Sequence, residues 1–398
     1  MKNLFPVFSK NSELIYLDSA ASSLKPQYVI DRICEAYSYE YANIHRGQYQ
    51  LSIKATENVE NSRRLVASSM NCKYEEVIFT KNATESINLV AKTLVQTINN
   101  SPSRNKIVIT ALEHHANIIP WQQFCSSSGY ELVVIPIDEN YELLEPEKYL
   151  NEEVLLFAFT HISNVTGTVN DVKTLVKIAS KFDILTLVDG CQGMVHTTVD
   201  VKDMNCDFYV WSSHKINGPS GVGVLYGKEE LLEKLPPFLS GGDMISKAGY
   251  HTFECNKLPY KFEAGTPAIA EITALGAAIE FRNKSEIINA LIHKKKVSEY
   301  CLERLNDKFG DEIKIFRPKE QKEIPVISFL MNWGHPYDIG TFLGKYNVCT
   351  RVGKHCAEPL MDFLQITGTI RVSFDIFNDE QDIDILIDKL ENIRELLQ

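Results

Sequence analysis

The chain has 398 residues, of which 44% are hydrophobic, and a net charge of −11 at pH 7. This size favours two domains, the acidic balance excludes the basic footprint of a nucleic-acid-binding protein, and no apolar run of about 18 residues predicts a membrane span. The amino-terminal residues lack the apolar stretch of a secretory signal and the nine scattered cysteines include no CxxC pair, so we expect reduced thiols, no metal site and a cytoplasmic protein.

Short apolar runs bounded by turn residues predict buried strands in the first part of the chain. These predicted strands are 77–80, 106–110, 132–136, 154–159, 184–188, 208–211 and 222–226. Helical patterns lie between several of them, at 84–98, 116–125 and 172–181. Strands that alternate with helices predict an α/β domain with a mostly parallel sheet.

The pattern changes after about residue 282. A long helix is predicted at 285–308 and a final helix at 380–397, with short elements at 313–316, 325–331, 338–346, 348–352 and 370–374 between them. This part predicts a smaller α+β domain. We therefore expect a large domain over residues 16–283 and a small domain formed by residues 1–15 and 284–398.

Polar clusters follow four of the predicted strands, at the sheet edge where open α/β sheets bind ligands. They are EHHAN at 113–117, THISN at 160–164, DGCQ at 189–192 and SSHK at 212–215. A solvated loop explains any one of these clusters as well as a binding site does. The four together, rich in His, Asp, Asn and Lys, favour a binding site.

Two of these residues fit the chemistry of pyridoxal 5′-phosphate (PLP). Lys215 follows an apolar strand, and partial burial there would favour a neutral amine able to form an imine with an aldehyde. Asp189 could pair with a protonated ring nitrogen, which PLP enzymes need as part of an electron sink. Taken singly, Lys215 is a loop lysine and Asp189 a turn former; taken together, they predict a PLP site.

A phosphate site is predicted where the strand at 77–80 leads into a helix, because a helix N-terminus attracts anions. Thr84 and Ser212 could supply hydroxyl groups, and Thr84 could also cap the helix. His114 could stack on a cofactor ring, although a lone histidine is more often structural. The glycine-rich stretch at 218–223 precedes a strand rather than opening a helix, so it is a turn and not a dinucleotide fingerprint.

A series of motifs now spans nearly the whole chain. They are YLDSAASSLKP at 16–26, NIHRG at 43–47, FTKNATESINLVA at 79–91, EHHANIIPWQ at 113–122, HISNVTGT at 161–168, VDGCQ at 188–192, DFYVWSSHKINGPSGVGVLYGK at 207–228, FEAGTP at 262–267 and RVGKHCAEPLM at 351–361. In this order they resemble the class V aminotransferases of PLP fold type I. The resemblance is closest to the group II (SufS-like) cysteine desulfurases, a branch that includes the selenocysteine lyases.

The resemblance implies a role for each matching residue. Lys215 would be the Schiff-base lysine, and Asp189 would pair with the pyridine nitrogen. The other cofactor contacts implied are Gln192 to the phenolic oxygen, His114 stacked on the ring and assisting proton transfer, and Thr84, Ser212 and His214 at the phosphate, joined by Thr266 from the second subunit of a homodimer. Asn164 and Arg371 would bind the substrate carboxylate, for which a guanidinium fork is suited.

Cys356 decides the reaction that the resemblance implies. In this family the cysteine of RxGxxCA accepts sulfur from the substrate, and the motif here is RVGKHCA at 351–357. Arg351, Lys354 and His355 would make its surroundings electropositive and favour the thiolate, whereas a buried structural thiol is the alternative. The implied reaction converts L-cysteine to L-alanine and leaves a persulfide, which an acceptor protein of a Suf-type system would take for iron–sulfur cluster assembly.

Some positions depart from the family pattern, and some alternatives stay open. Lys354 replaces a common histidine, Cys191 replaces a common alanine, and KNATES replaces a form closer to RGTTE. A selenocysteine lyase or a desulfurase dedicated to another pathway would share this site. A true aminotransferase has no use for Cys356, and a non-catalytic scaffold would have no reason to keep the whole set.

Overall fold

A computed structural model describes residues 1–97, 104–321 and 324–398. Its strands are β1 Ile15–Tyr16, β2 Val77–Thr80, β3 Lys106–Thr110, β4 Glu131–Ile135, β5 Val154–Thr160, β6 Leu185–Asp189, β7 Phe208–Ser212, β8 Gly223–Gly227, β9 Ile245–Ala248, β10 Phe253–Cys255, β11 Ile313–Phe316, β12 Val326–Met331, β13 Val348–Cys349, β14 Arg351–Gly353 and β15 Thr369–Ser373. Its α-helices are α1 Val7–Lys10, α2 Gln27–Tyr39, α3 Gln50–Ser69, α4 Ala83–Thr97, α5 Ile119–Ser128, α6 Val172–Ser180, α7 Gly193–His196, α8 Val201–Met204, α9 Glu229–Lys234, α10 Ile269–Arg282, α11 Ser285–Phe309, α12 Pro336–Lys345, α13 Glu358–Phe363 and α14 Glu380–Leu397.

The larger sheet has seven strands in the order β2-β8-β7-β6-β5-β3-β4. Strands β3, β4, β5, β6 and β7 run parallel to one another. Strand β8 lies between β7 and β2 and pairs antiparallel with both. Every residue of β5 is buried, as expected for a strand covered on both faces. The predicted α/β fold with a mostly parallel sheet is confirmed, and the predicted strands lie within one or two residues of the observed ones.

Helices cover both faces of this sheet. The core on one face includes side chains of α3, α6 and α10, and the core on the other includes side chains of α4 and α5. Sequence patterns did not predict α2, α3 or α10. Helix α10 is buried almost all round, so it lacks the polar stripe that marks an amphipathic helix. The last residue of the helix predicted at 84–98 lies outside the described residues.

The smaller sheet has four antiparallel strands in the order β11-β12-β15-β14. Side chains of α11, α12 and α14 pack on it to form a separate core. The predicted element at 348–352 is in fact two strands: β14 joins this sheet, whereas β13 pairs in parallel with β1 near the amino terminus. Phe5 and Phe8 also pack against Phe377, so amino-terminal residues contact the carboxyl-terminal part. The domain boundaries themselves stay a prediction.

The two sheets meet at the carboxyl ends of the parallel strands. Ala357, Leu360 and Met361 pack on Leu112 and Val165 in one apolar cluster. Chain segments that follow β3 and β5 are thereby held against the start of α13. Within the described ranges, no helix is both long and apolar enough to cross a membrane, and no group of three or more His, Cys, Asp or Glu residues could hold a metal ion.

Candidate active site

Strands β5, β6 and β7 end side by side. Thr160, the last residue of β5, pairs with Asp189 of β6, and Asp189 in turn pairs with Val210 of β7. Parallel strands end at the same sheet edge, so the register alone brings the loops after them together. The polar clusters predicted from the sequence are therefore neighbours in the structure.

Asp189 and Lys215 lie in this edge without a charged partner. The Asp189 side chain is 4% exposed and accepts a hydrogen bond from the Cys191 amide at 2.9 Å. No lysine or arginine of the described residues forms an ion pair with it, and Lys215 likewise has no hydrogen bond or ion pair there. A buried carboxylate without a cation is costly, so this one is suited to a cationic ligand group.

His114 lies in the loop after β3 as a neutral imidazole. Burial, with Lys215 nearby, lowers its pKa to about 4. Its Nδ1 accepts a hydrogen bond from the Ala116 amide at 3.1 Å, so the proton of the neutral ring is on Nε2. An imidazole held in one tautomer has the fixed orientation that stacking and proton transfer require.

Glu113 anchors this loop, and the sequence analysis gave it no role. Its carboxyl group accepts hydrogen bonds from the Asn117 side chain at 2.6 Å and from the Thr160 amide at 2.9 Å. Burial raises its pKa to about 8 despite these bonds. The side chain thereby links the loops after β3 and β5. In the sequence, only its position directly before His114 could have indicated this role.

The predicted phosphate region lies at the start of α4. Ser212 accepts a hydrogen bond from the Ala83 amide at 2.9 Å, and Asn82 accepts one from the Glu85 amide at 2.9 Å. Asn82, not Thr84, therefore caps the helix, because the helix starts one residue earlier than predicted. The exposed Thr84 hydroxyl makes no hydrogen bond within the described ranges and is available for an anion.

His214 and Thr266 line one cavity of about 750 Å³ next to the start of α4. Burial, with Lys215 nearby, lowers the pKa of His214 to about 4, and its Nδ1 lies 3.2 Å from the Ser22 hydroxyl. Thr266 is exposed on this wall, in the segment that follows Gly265. The expectation that Thr266 serves a second subunit stays a prediction.

Cys356 lies in a loop of unusual backbone conformation. His355 and Cys356 have φ angles of 53° and 55°, a left-handed conformation that costs about 1–2 kcal/mol for each non-glycine residue. The loop is fixed from outside, because the Cys356 carbonyl accepts a hydrogen bond from the His115 amide at 2.6 Å. Strain held in this way places the half-buried thiol beside the loop of His114.

Arg351 is the cation that contacts the Cys356 sulfur. Its Nη2 donates to Sγ at 3.3 Å. The other two neighbours expected to make the thiol electropositive do less: Lys354 forms an ion pair with Glu358, and burial holds the pKa of His355 well below its ordinary value. Lys354, which stands where the family commonly has histidine, is thus directed to Glu358.

Arg371 is buried, with 1% of its surface exposed, and is already partly hydrogen-bonded. Its Nη1 donates to the Asn164 carbonyl at 3.0 Å and its Nη2 to Asp18 at 3.0 Å, while Nε has no partner in the described structure. The Asn164 side chain donates to the His355 carbonyl at 2.9 Å. One edge of the guanidinium, formed by Nε–H and an N–H of Nη2, therefore remains for a carboxylate.

The groups that lack a charged partner or a hydrogen bond indicate which cofactor fits. A ring with a protonated nitrogen, an aldehyde and a phosphate would match the buried Asp189, the free Lys215 amine and the free Thr84 hydroxyl. The residues present thus fit PLP. A metal is not required by any of these contacts.

Comparisons with known proteins agree with this fit. The Aminotransferase class-V family model matches residues 15–386. The chain belongs to the class V aminotransferase family, as its motifs predicted.

Named relatives and solved structures narrow this class. A "Cysteine desulfurase" of Wigglesworthia glossinidia brevipalpis is 40% identical over 402 residues, which cover 99% of this chain and 97% of that protein. The crystal structure of the cysteine desulfurase CsdA from Escherichia coli is similar with a TM-score of 0.91 and 32% identity, covering 100% of this chain and 98% of that chain. An apo cysteine desulfurase from Thermococcus onnurineus NA1 has a TM-score of 0.92 and 33% identity, again over 100% of this chain and 98% of that chain.

Proposed function

We propose that this chain is a PLP-dependent cysteine desulfurase, which converts L-cysteine to L-alanine and forms a persulfide on Cys356. The observation that carries the proposal is the position of that thiol. A strained loop, hydrogen-bonded to the His115 amide, presents Cys356 next to the loop that carries His114 and in contact with Arg351. Support for the reaction class comes from relatives named cysteine desulfurase that match over nearly the full chain.

The residues proposed to hold PLP are those that the structure leaves available. Lys215 would bind the aldehyde, Asp189 the ring nitrogen and Gln192 the phenolic oxygen, while His114 would cover the ring. Thr84, Ser212 and His214 would bind the phosphate, with Thr266 of the partner subunit in a homodimer. When bound, PLP supplies an electron sink that stabilises negative charge at the substrate Cα.

The remaining roles belong to side chains of this chain. Arg371 and Asn164 would hold the substrate carboxylate, and Lys215 would move the Cα proton. The Cys356 thiolate would attack the substrate sulfur, so that an S–S bond forms while the substrate C–S bond breaks. The carbon fragment keeps the electron pair, gains a proton and leaves as alanine, with His114 assisting the proton transfer.

Persulfide sulfur would then pass to an acceptor protein of a Suf-type system for iron–sulfur cluster assembly. A cytoplasmic location is part of the proposal, and the nine free cysteines, all within the described residues, support a reducing compartment. Selenocysteine lyase activity, or service to a different pathway, would use the same contacts. A selenocysteine lyase would be distinguished from a cysteine desulfurase by releasing selenium from selenocysteine without help from Cys356.

The test compares alanine and sulfide release from L-cysteine by the wild type and Cys356→Ala. We expect the variant to keep its yellow PLP colour and to lose activity by about a hundredfold or more, because the nucleophile is gone. Cys349→Ala is the matched control, since Cys349 is also half-buried and free, and this control should keep its activity. Undiminished release by Cys356→Ala would refute the nucleophile assignment.

Lys215→Ala tests the cofactor assignment separately. Without the amine, PLP cannot be held covalently and the Cα proton has no acceptor, so turnover should fall below detection in the alanine assay. Normal turnover by this variant would contradict the assignment of Lys215.

A further inference from the structure

A row of partly buried hydrogen bonds runs from Gln192 through His196 to Lys294. His196 Nε2 lies 3.2 Å from Gln192 Oε1, and His196 Nδ1 lies 3.4 Å from the Lys294 ammonium nitrogen. Gln192 and Lys294 are each 2% exposed. The row joins α7, directly after β6, to α11, about a hundred residues further along the chain.

The chemistry of Lys294 decides the tautomer of His196. An ammonium group has only donors, so Nδ1 of His196 must accept and the proton of the neutral ring must be on Nε2. Burial, with Lys294 and Arg282 adding to it, holds the pKa of His196 well below its ordinary value. Burial lowers the pKa of Lys294 to about 8, against the opposing effect of Asp375. At pH 7 a charged Lys294 and a neutral His196 are therefore the states present.

This tautomer decides the orientation of the Gln192 amide. Nε2 of His196 donates to Oε1 of Gln192, so Oε1 is directed toward His196. The amide nitrogen of Gln192 donates one hydrogen to the Ala20 carbonyl at 2.9 Å. A flipped amide would set two donors face to face at His196 and two acceptors at Ala20. The second N–H of Gln192, which has no partner in the described ranges, is thus left free for a ligand acceptor.

We propose that His196, held by Lys294, is a positioning residue that makes Gln192 a hydrogen-bond donor to the phenolic oxygen of PLP. The proposal rests on the proposed function, because it takes that oxygen as the partner of Gln192. Neither His196 nor Lys294 touches the cofactor in this scheme. The charged groups around Lys294 are Asp375 and Arg282, with Lys295 beside it on α11.

A donor to the phenolic oxygen favours its anionic form and so lowers the pH at which bound PLP loses its proton. The measured quantity is the pH at the midpoint of the change in visible absorbance. The sample is the purified protein loaded with PLP. His196→Leu removes the donor that fixes Gln192, and we expect this midpoint to rise by about one pH unit, a tenfold change in proton affinity. His196→Gln, whose amide nitrogen can occupy the place of Nε2, should restore most of the wild-type midpoint.

Two further variants separate positioning from general damage. Gln192→Leu should raise the midpoint by the same amount, and the double variant with His196→Leu should show no further rise, because both act through one bond. Lys295→Met removes another charge that lowers the pKa of His196 but makes no hydrogen bond to it within the described residues, so its midpoint should match the wild type.

An unchanged midpoint in His196→Leu that still binds PLP would overturn the proposal, as would an equal shift in Lys295→Met. A His196→Gln variant that behaves as His196→Leu would also count against it. A wild type that neither binds PLP nor releases alanine from cysteine would instead refute the proposed function.

Discussion

At the scale of single residues, the candidate site consists of polar groups whose protein contacts leave one side free. Arg371 shows this most clearly, because Asn164 and Asp18 hold two of its nitrogens while Nε has no partner among the residues that the structure describes. Cys356 is similar, since its carbonyl accepts a hydrogen bond from the His115 amide and Arg351 is the one hydrogen-bond partner of its sulfur among the described residues. The groups proposed to contact the substrate are therefore ones whose hydrogen-bonding capacity the protein fills only in part.

Arg371→Lys tests this at the proposed carboxylate site. Lysine keeps the charge but loses the planar fork, so we expect the KM for cysteine to rise by about 10- to 100-fold with a smaller change in kcat. Steady-state alanine formation measures both constants. Arg304→Lys, at the exposed ion pair with Asp384, is the control and should leave KM unchanged. An unchanged KM in Arg371→Lys would remove Arg371 from the proposed carboxylate site.

Sequence patterns predicted most of these residues but not their contacts. Lys215, Asp189 and His114 follow buried strands, so their place at the sheet edge follows from strand direction alone. The pairing of Lys354 with Glu358, the cap formed by Asn82 and the link from Gln192 to Lys294 could not be predicted. These depend on where loops and a distant helix settle, which no local pattern encodes.

At the scale of elements, the position of Cys356 depends on how closely β14 approaches the segment before β15. Gly368 has a φ of 153°, and a Cβ atom there would lie 2.7 Å from the backbone of Gly353. Gly353 is three residues before Cys356 and ends β14. The loop of the thiol is thus set by a backbone contact that only glycine permits.

Gly368→Ala should force these segments apart and displace Cys356. We expect a loss of stability of about 1–3 kcal/mol, a fall in desulfurase activity of about tenfold or more, and normal PLP binding, because the proposed cofactor contacts lie at the other sheet. Denaturant unfolding, absorbance and alanine release measure the three effects. Gly310→Ala is the control: its φ of 43° is also left-handed, but a Cβ there meets nothing within 4 Å. Equal activity loss in both variants would show that the contact with Gly353 is not the cause.

The sequence predicted helices that bury one face and short strands that are buried on both faces. Prediction failed for α3, whose turns carry many polar residues, because several of these are buried in contacts rather than exposed. Arg63 is the clearest case: it is 0% exposed and donates to Glu263 at 2.7 Å and to Glu60 at 3.0 Å. A buried ion pair within a helix hides the apolar stripe that the pattern requires.

At the scale of the whole molecule, the amino-terminal residues join the two parts of the chain. Phe5 is 1% exposed and lies edge-on to Phe281, at the end of α10, and to Phe377, after β15, with ring centroids 6.4 and 4.9 Å away. A single side chain therefore contacts both the helix that covers the large sheet and the carboxyl-terminal part.

Phe5→Ala should destabilise the molecule by about 3–5 kcal/mol, because a buried aromatic ring is lost and a cavity remains. Chemical denaturation of the PLP-loaded protein measures the change. Phe253→Ala is the control, since Phe253 is 53% exposed on a hairpin and its loss should cost far less. A loss below about 1 kcal/mol for Phe5→Ala would show that the amino-terminal segment does not hold the two parts together.

The central claim is that Cys356 accepts sulfur from cysteine, and peptide mass analysis after one turnover tests it most directly. The PLP-loaded protein would be mixed with L-cysteine, its free thiols blocked, and its peptides compared for the addition of one sulfur atom. The account predicts that the peptide containing Cys356 carries the added sulfur and that Cys191, the other thiol next to the site, does not. Added sulfur on Cys191 with none on Cys356, or alanine formed with no sulfur on either, would contradict it.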